Sequence, residues 1–114
     1  MVSFYRRGYY YERKALEELR NNGWYAWRTP ASKSPIDIIA IKNISNVPRI
    51  KLIQIKSTSK DYFHISMIPK EERIGLLNLA KDFKDNIYVD VEIWVYYKTL
   101  GKREVIDVKS LLRH

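Results

Sequence analysis

Four polar residues stand where the surrounding sequence is apolar, and their types suit one kind of chemistry. Glu12 falls within the apolar stripe of an amphipathic segment, with leucines four and seven positions further on. Asp37 is the single charged residue of an otherwise apolar run, and in the next run Gln54 and Lys56 share a face because side chains alternate along a strand. A buried carboxylate costs several kcal/mol unless it is paired, protonated or bound to a metal. We therefore expect these four groups to form one site.

Hydrolysis of a phosphodiester explains such a cluster economically. Carboxylate oxygens that hold Mg²⁺ help to neutralise the phosphate and lower the pKa of a bound water. A lysine beside the metal can polarise the attacking water or stabilise the charge that develops on phosphorus. Asp37, a second oxygen ligand from Gln54, and Lys56 supply these parts, and Glu12 would complete the metal cage from the helix.

Each residue also has a plainer interpretation. Glu12 could lie at the edge of its stripe and reach solvent or Arg28. Asp37 could cap the backbone after Pro35, and Lys56 could extend from a strand end into water, as strand lysines usually do. The conjunction of two carboxylates, an amide and an ammonium on three neighbouring elements favours the catalytic interpretation.

The charge and the lack of cysteine limit which partners the chain can bind and which kinds of site it can form. The chain of 114 residues has 21 Lys and Arg against 13 Asp and Glu, a formal charge of +8 spread along the sequence. Such an excess favours nucleic acid as a partner, although a basic surface can also serve solubility alone. The absence of cysteine excludes disulfides, thiolate-bound zinc, iron–sulfur clusters and a cysteine nucleophile. No apolar run approaches the roughly 20 residues of a membrane span, so we expect an intracellular, cytoplasmic and nucleoid-associated protein.

The elements that position these groups follow from periodicity and from turn signals. The pattern predicts an α/β fold with a mixed central β-sheet flanked by helices. We expect the chain to form a single domain over residues 1–114. In the second helix we expect Ile74, Leu77 and Ala80 to face inward. The predicted helices are Tyr5 to about Asn22 and about Lys70 to Lys84, and the predicted strands are Trp24–Arg28, Ile36–Ile41 antiparallel to Ile50–Lys56, Val89–Tyr97 and Arg103–Val108.

Two short motifs resemble a known nuclease signature. Pro35-Ile36-Asp37 followed by Gln54-Ile55-Lys56 is similar to the signature of the PD-(D/E)xK nuclease superfamily. More narrowly, residues 3–60 resemble the archaeal Holliday junction resolvases, and the later elements agree in order only. The matching segments are Arg6-Arg7-Gly8, Glu12-Arg13, Leu19-Arg20, Gly23-Trp24, Arg28-Thr29-Pro30-Ala31-Ser32, Asp37-Ile38-Ile39-Ala40 and Ile55-Lys56-Ser57.

The predicted order of elements, α-β-β-β-α-β-β, agrees with the restriction-endonuclease-like core that the resemblance implies, as a single nuclease-like domain. The resemblance also implies a homodimer that resolves four-way DNA junctions by paired nicks, with Mg²⁺ as cofactor and Mn²⁺ as a possible substitute. Lys56 would then act at the attacking water. The implied metal ligands are Glu12, Asp37, Gln54 and the carbonyl of Ile55, and the implied DNA-binding residues are Arg6, Arg7, Arg13, Arg28, Ser32 and Lys33.

One departure from the family pattern affects the chemistry. Gln54 stands where the family has Glu, and an amide offers an oxygen ligand without a negative charge, which should weaken Mg²⁺ binding. Three functions therefore remain open: a junction resolvase, a nuclease of the same fold that acts on other DNA structures, and a DNA-binding dimer whose catalysis is weakened by Gln54.

Overall fold

The computed structural model describes residues 2–29 and 34–112, with side chains from residue 9 onward. The order α-β-β-β-α-β-β is confirmed, as is the mixed sheet. No helix within these ranges is long and apolar enough to cross a membrane. The elements are α1 (Val2–Asn21), β1 (Tyr25–Arg28), β2 (Ile38–Ile44), β3 (Val47–Thr58), α2 (Lys70–Asp82), β4 (Val89–Tyr97) and β5 (Lys102–Asp107), with 3₁₀ turns at Ile65–Met67 and Val108–Leu112.

The five strands lie side by side in chain order, and only the β3–β4 pair is parallel. A two-residue turn joins β2 to β3, in which Ser45 and Asn46 both have positive φ, as type I′ hairpins require. This turn fixes the register of the hairpin, which pairs Ile38 with Ile53. The residue before β2, Asp37, is therefore brought beside the second half of β3.

The two helices cover opposite faces of the sheet. Parallel strands need a long crossover, and α2 lies within the crossover from β3 to β4. Gln54 has the same strand parity as Leu52, which packs on the α2 side, whereas Ile53 packs on the α1 side. The buried residues on the α1 side are Ala15, Leu16, Leu19, Ala26, Ile38, Ala40, Ile53, Trp94 and Tyr96, and those on the α2 side are Ile36, Ile68, Leu76, Ala80, Val91, Ile93, Val95, Tyr97 and Val108.

The inward face of α2 agrees with the sequence prediction at Leu77 and Ala80 and differs from it at Ile74. Ile74, expected to face inward, is 46% exposed, whereas Leu76 is fully buried together with Ala80. Gly75 accounts for the orientation of α2 about its axis. A Cβ at this position would lie 3.2 Å from Cγ of Pro35, so this side of the helix can approach Pro35 only with glycine here. The lack of a side chain lets α2 pack closely against the segment that leads into Asp37.

Candidate active site

Two hydrogen bonds to β3 fix Asp37 at the beginning of β2. Its backbone N–H donates to the carbonyl of Ile53 at 2.8 Å. Its carboxylate Oδ2 accepts the backbone N–H of Ile55, also at 2.8 Å. The residue between these two partners is Gln54, so Asp37 and Gln54 lie next to each other. The backbone group that the Asp37 carboxylate binds therefore belongs to a neighbouring strand, 18 residues further along the chain, and not to the loop after Pro35.

Burial raises the pKa of Asp37 from 3.8 to about 6. The N–H of Ile55 opposes this increase, as does the positive charge of Lys56, while the negative charges of Glu12 and Glu72 add to it. Asp37 therefore lies within electrostatic reach of all three charged side chains. A divalent cation at this position would favour the ionised carboxylate and offset the cost of its burial.

Gln54 is buried, with one end of its amide paired and the other end unpaired. Its side chain is 2% exposed, and Nε2 donates to Oε1 of Glu72 at 2.7 Å. An ionised carboxylate only accepts hydrogen bonds, so the amide must turn its NH₂ group toward Glu72. Within the described ranges, Oε1 of Gln54 is buried and has no hydrogen-bond partner. An unpaired buried acceptor costs about 1–3 kcal/mol, a cost that a cation ligated by this oxygen would remove.

Lys56 is held by the same carboxylate. Its Nζ donates to Oε1 of Glu72 at 3.1 Å, and the two side chains are only partly exposed. The ammonium is thus kept near the sheet beside Asp37 instead of extending freely into water.

Glu72 is the site residue that the sequence analysis missed. It lies in the first turn of α2, where acidic residues commonly stabilise the helix dipole, so its position has an ordinary explanation. The signal that was available is spacing, because Glu72 lies one helical turn before the buried Leu76 and on the same face.

Glu12 forms the ion pair that the sequence left as an alternative. Its Oε1 accepts a hydrogen bond from Nε of Arg28 at 2.7 Å, with side chains 22% and 47% exposed. Glu12 lies on α1, and its charge contributes to the raised pKa of Asp37. The structure therefore brings Glu12 to the edge of the cluster, and its role as a metal ligand stays a prediction.

Arg13 and Arg28 form one basic patch beside Glu12. Their guanidinium carbons lie 5.6 Å and 4.4 Å from the centroid of the Tyr9 ring, and both residues are exposed. These distances are typical of cation–π contacts. Of the other predicted DNA-binding residues, Arg6 and Arg7 lie on α1 with side chains outside the described part, and Ser32 and Lys33 lie outside the described residues altogether.

The oxygen atoms around Asp37 fit a hard divalent cation. Among the described residues, no three histidine, cysteine, aspartate or glutamate side chains are grouped closely enough to hold a metal ion. A site here must therefore combine the Asp37 carboxylate with neutral oxygens, for which the buried, unpaired Oε1 of Gln54 is suited. Mg²⁺ accepts such mixed oxygen ligands and usually keeps several waters or phosphate oxygens as well.

Comparison with known proteins agrees with the fold and with the motifs. A 58-residue segment is 47% identical to the crossover junction endodeoxyribonuclease of Sulfolobus islandicus rod-shaped virus 1. The match covers 47% of this chain and 45% of the viral relative, so this chain spans slightly under half of the relative's length. The structure of Hjc from Archaeoglobus fulgidus, a Holliday junction resolvase, has the same fold, with a TM-score of 0.65, 20% identity, and coverage of 90% of this chain and 74% of that one. The family model described as archaeal Holliday junction resolvase (hjc) matches residues 3–110, and this chain therefore belongs to that family.

Proposed function

We propose that this protein is a Mg²⁺-dependent, structure-selective DNA endonuclease that resolves four-way junctions by paired nicks. One observation carries the proposal: Oε1 of Gln54 is buried without a partner among the described residues, and the next residue along the strand, Ile55, donates its N–H to the Asp37 carboxylate and is followed by Lys56. Membership of the resolvase family supports a branched DNA substrate. The formal charge of +8 supports binding to a polyanion inside the cell, in the nucleoid.

Each side chain of the cluster has a distinct part in the proposed reaction. Asp37 and Gln54, with the carbonyl of Ile55, would hold the metal ion, whose chemistry would be to lower the pKa of a bound water and to neutralise charge on the phosphate. Lys56 donates hydrogen bonds to the attacking water or to a phosphate oxygen. Glu12, which is paired with Arg28, would be a further ligand from α1, and the guanidinium of Arg28 would be available for a DNA phosphate.

Resolution of a junction requires two opposed cuts, and this supports a homodimer in which each protomer supplies one active site. Binding would depend on backbone phosphates and on the shape of the junction more than on base sequence, with Arg13 and Arg28 among the contacts. Affinity for the junction should therefore fall steeply with salt concentration.

Cleavage of a labelled four-way junction and of a matched duplex, with Mg²⁺, Mn²⁺ or EDTA, tests the proposal. Symmetric nicks on the junction should require the metal and disappear in Asp37→Asn, which keeps an acceptor for Ile55 and removes the charge. Asp90→Asn is the matched control, because Asp90 binds Lys51 on a different part of the sheet, and it should leave cleavage unchanged.

The other outcomes contradict the proposal in different ways. Tight junction binding without cuts in either metal would identify a non-catalytic DNA-binding dimer. Equal cutting of duplex, flaps and junction would identify a nuclease of the same fold with another substrate. Undiminished cutting by Asp37→Asn would remove Asp37 from the active site.

A further inference from the structure

Glu72 links the two polar side chains of β3 that face α2. One oxygen, Oε1, accepts both the amide Nε2 of Gln54 at 2.7 Å and the ammonium Nζ of Lys56 at 3.1 Å. An acidic residue in the first turn stabilises the dipole of α2, but Glu71 in the same turn has this effect as well, so helix stability does not explain either contact.

We infer that Glu72 is a positioning residue for metal binding, which turns the Gln54 oxygen toward the ion and supplies the negative charge that Gln54 lacks. The inference rests on the proposed metal-dependent function and deepens it. It explains how a chain with Gln in place of the usual Glu retains a competent site.

The orienting effect follows from the two unlike ends of an amide. Gln54 could direct either its NH₂ group or its oxygen away from Glu72, and only the oxygen can bind a cation. The carboxylate of Glu72 accepts from the NH₂ end and so fixes the orientation with Oε1 directed away from it. Because Gln54 is buried, bulk water does not compete with Glu72 for the hydrogen bond from its NH₂ group. Groups that orient a ligand in this way typically change metal affinity about 10–100-fold when they are removed.

The electrostatic effect follows from where the charge is placed. At position 54 a carboxylate would be almost fully buried, and its desolvation would have to be offset by the ion. The Glu72 side chain is 38% exposed, so placing a carboxylate there costs less desolvation than placing one at position 54. Its charge still lies close to the site, because Oε1 is 2.7 Å from Nε2 of Gln54 and 3.1 Å from Nζ of Lys56. Glu72 therefore attracts a cation from the rim of the site.

The contact with Lys56 has a related consequence. A free ammonium in this cluster would be attracted to Asp37 or to the unpaired oxygen of Gln54 and would compete with the ion for them. By accepting from Nζ, Glu72 holds Lys56 at a position beside the ion's ligands.

A Mg²⁺ titration of thermal unfolding without DNA, paired with the Mg²⁺ dependence of junction cleavage, tests the inference. Glu72→Ala should raise the midpoint for Mg²⁺ about tenfold or more in both assays, as expected for loss of an orienting partner. Glu72→Gln keeps an acceptor for both donors and loses only the charge, so it should raise the midpoint about threefold. Glu71→Ala, the control from the same helical turn, should change it by less than about twofold.

An exchange variant separates positioning from a merely structural role. Gln54→Glu combined with Glu72→Gln keeps one amide and one carboxylate in contact with their positions reversed. It should return the midpoint to within about threefold of the original protein. Junction affinity in EDTA should stay the same in all these variants, since neither residue belongs to the predicted DNA contacts.

The results that overturn the inference are distinct from those that overturn the proposed function. A Glu72→Ala midpoint equal to that of Glu71→Ala overturns the inference, as does the absence of any Mg²⁺-dependent stabilisation of the original protein. If Glu72→Ala fails to fold, an unchanged midpoint in Glu72→Gln has the same meaning. A Glu72-dependent midpoint in a protein that never cuts a junction contradicts the function and leaves the metal-site inference standing.

Discussion

Strand β3 carries two lysines that belong to two different polar clusters. Lys51 has the strand parity of the α1 face, and its Nζ donates to Oε2 of Glu92 at 2.7 Å and to Oδ2 of Asp90 at 3.3 Å. The other oxygen of Glu92 accepts the indole N–H of Trp94 at 2.9 Å. Lys51, Glu92 and Trp94 satisfy one another in this cluster, and the side chains of Lys51 and Glu92 are 20% and 11% exposed. Nε of Arg49, whose Nη2 lies 3.6 Å from Oδ2 of Asp90, is buried without a partner within the described ranges, but it is a donor and cannot bind a cation.

The cluster around Lys56 has similar residue types, but one of its buried acceptors has no hydrogen-bond partner among the described residues. Glu72 satisfies Lys56 and one end of Gln54, while the buried oxygen of Gln54 has no partner within the described ranges. Asp37 beside it has its pKa raised by burial. Buried polar groups are nearly always hydrogen-bonded in proteins. The unpaired oxygen of Gln54 therefore calls for an explanation other than stability. The comparison supports the proposal that the Lys56 cluster binds a ligand, whereas the paired groups of the Lys51 cluster fit a role in the stability of the fold.

The largest effect is expected from Lys56→Met. Loss of the ammonium should reduce the junction cleavage rate about 100-fold or more, because a group that acts on the attacking water or on the phosphate contributes this much. The free energy of unfolding should change by less than about 1 kcal/mol, since Lys56 and Glu72 form a partly exposed pair. Single-turnover cleavage and urea unfolding measure the two quantities, and a loss of stability that matches the loss of rate would contradict the account.

The matched change on the other cluster, Lys51→Met, should give the opposite pattern. It leaves the carboxylate of Glu92 buried without its cation, so we expect a loss of about 2–3 kcal/mol in the free energy of unfolding. Cleavage per folded molecule should remain within about twofold of the original rate. A selective loss of cleavage at unchanged stability would show that the functional cluster has been assigned to the wrong lysine.

Asp37 should make the metal-free protein less stable as pH rises. Its pKa is raised from 3.8 to about 6 on folding, so the folded state binds more protons than the unfolded state between these values. Stability in EDTA should therefore fall by about 2 kcal/mol as pH rises from about 4 to 7. The difference between the original protein and Asp37→Asn across this range isolates the effect, and a difference that is independent of pH would contradict it.

The smallest effect is expected from Arg28→Ala. Arg28 lies over Tyr9 and pairs with Glu12, and it is one of several predicted phosphate contacts. Junction affinity should fall about fivefold, and the slope of its dependence on salt should decrease by about one. Fluorescence anisotropy across a range of salt concentrations measures both, with Arg49→Ala as a control from the Lys51 side of the sheet. An unchanged slope would remove Arg28 from the DNA interface.

Much of the fold and of the Asp37 site could be read from the sequence because strand alternation is local. Gln54 and Lys56 share a face in any extended strand, and the turn between the two apolar runs fixes the antiparallel pairing that brings Asp37 beside them. Periodicity also predicted the helices, with ends within a few residues of those observed.

Glu72 could not be found in the same way because the rotation of α2 is set by tertiary contacts. Five of its residues are apolar between positions 74 and 80, so several faces are compatible with burial. The contact between Gly75 and Pro35 selects the face that includes Leu76 and Glu72. The pairing of Glu12 with Arg28 was foreseen only as an alternative, since sequence alone does not rank an ion pair against a metal ligand.

The most direct test of the central claim is a Mn²⁺ titration followed by NMR at neutral pH. Paramagnetic broadening should appear first at the side-chain amide of Gln54 and the backbone amide of Ile55, and excess Mg²⁺ should reverse it. The indole N–H of Trp94, in the Lys51 cluster, should broaden later, and Asp37→Asn should abolish the early broadening. Early broadening at Trp94, or an equal response in Asp37→Asn, would contradict the claim that the Asp37–Gln54 cluster holds the ion.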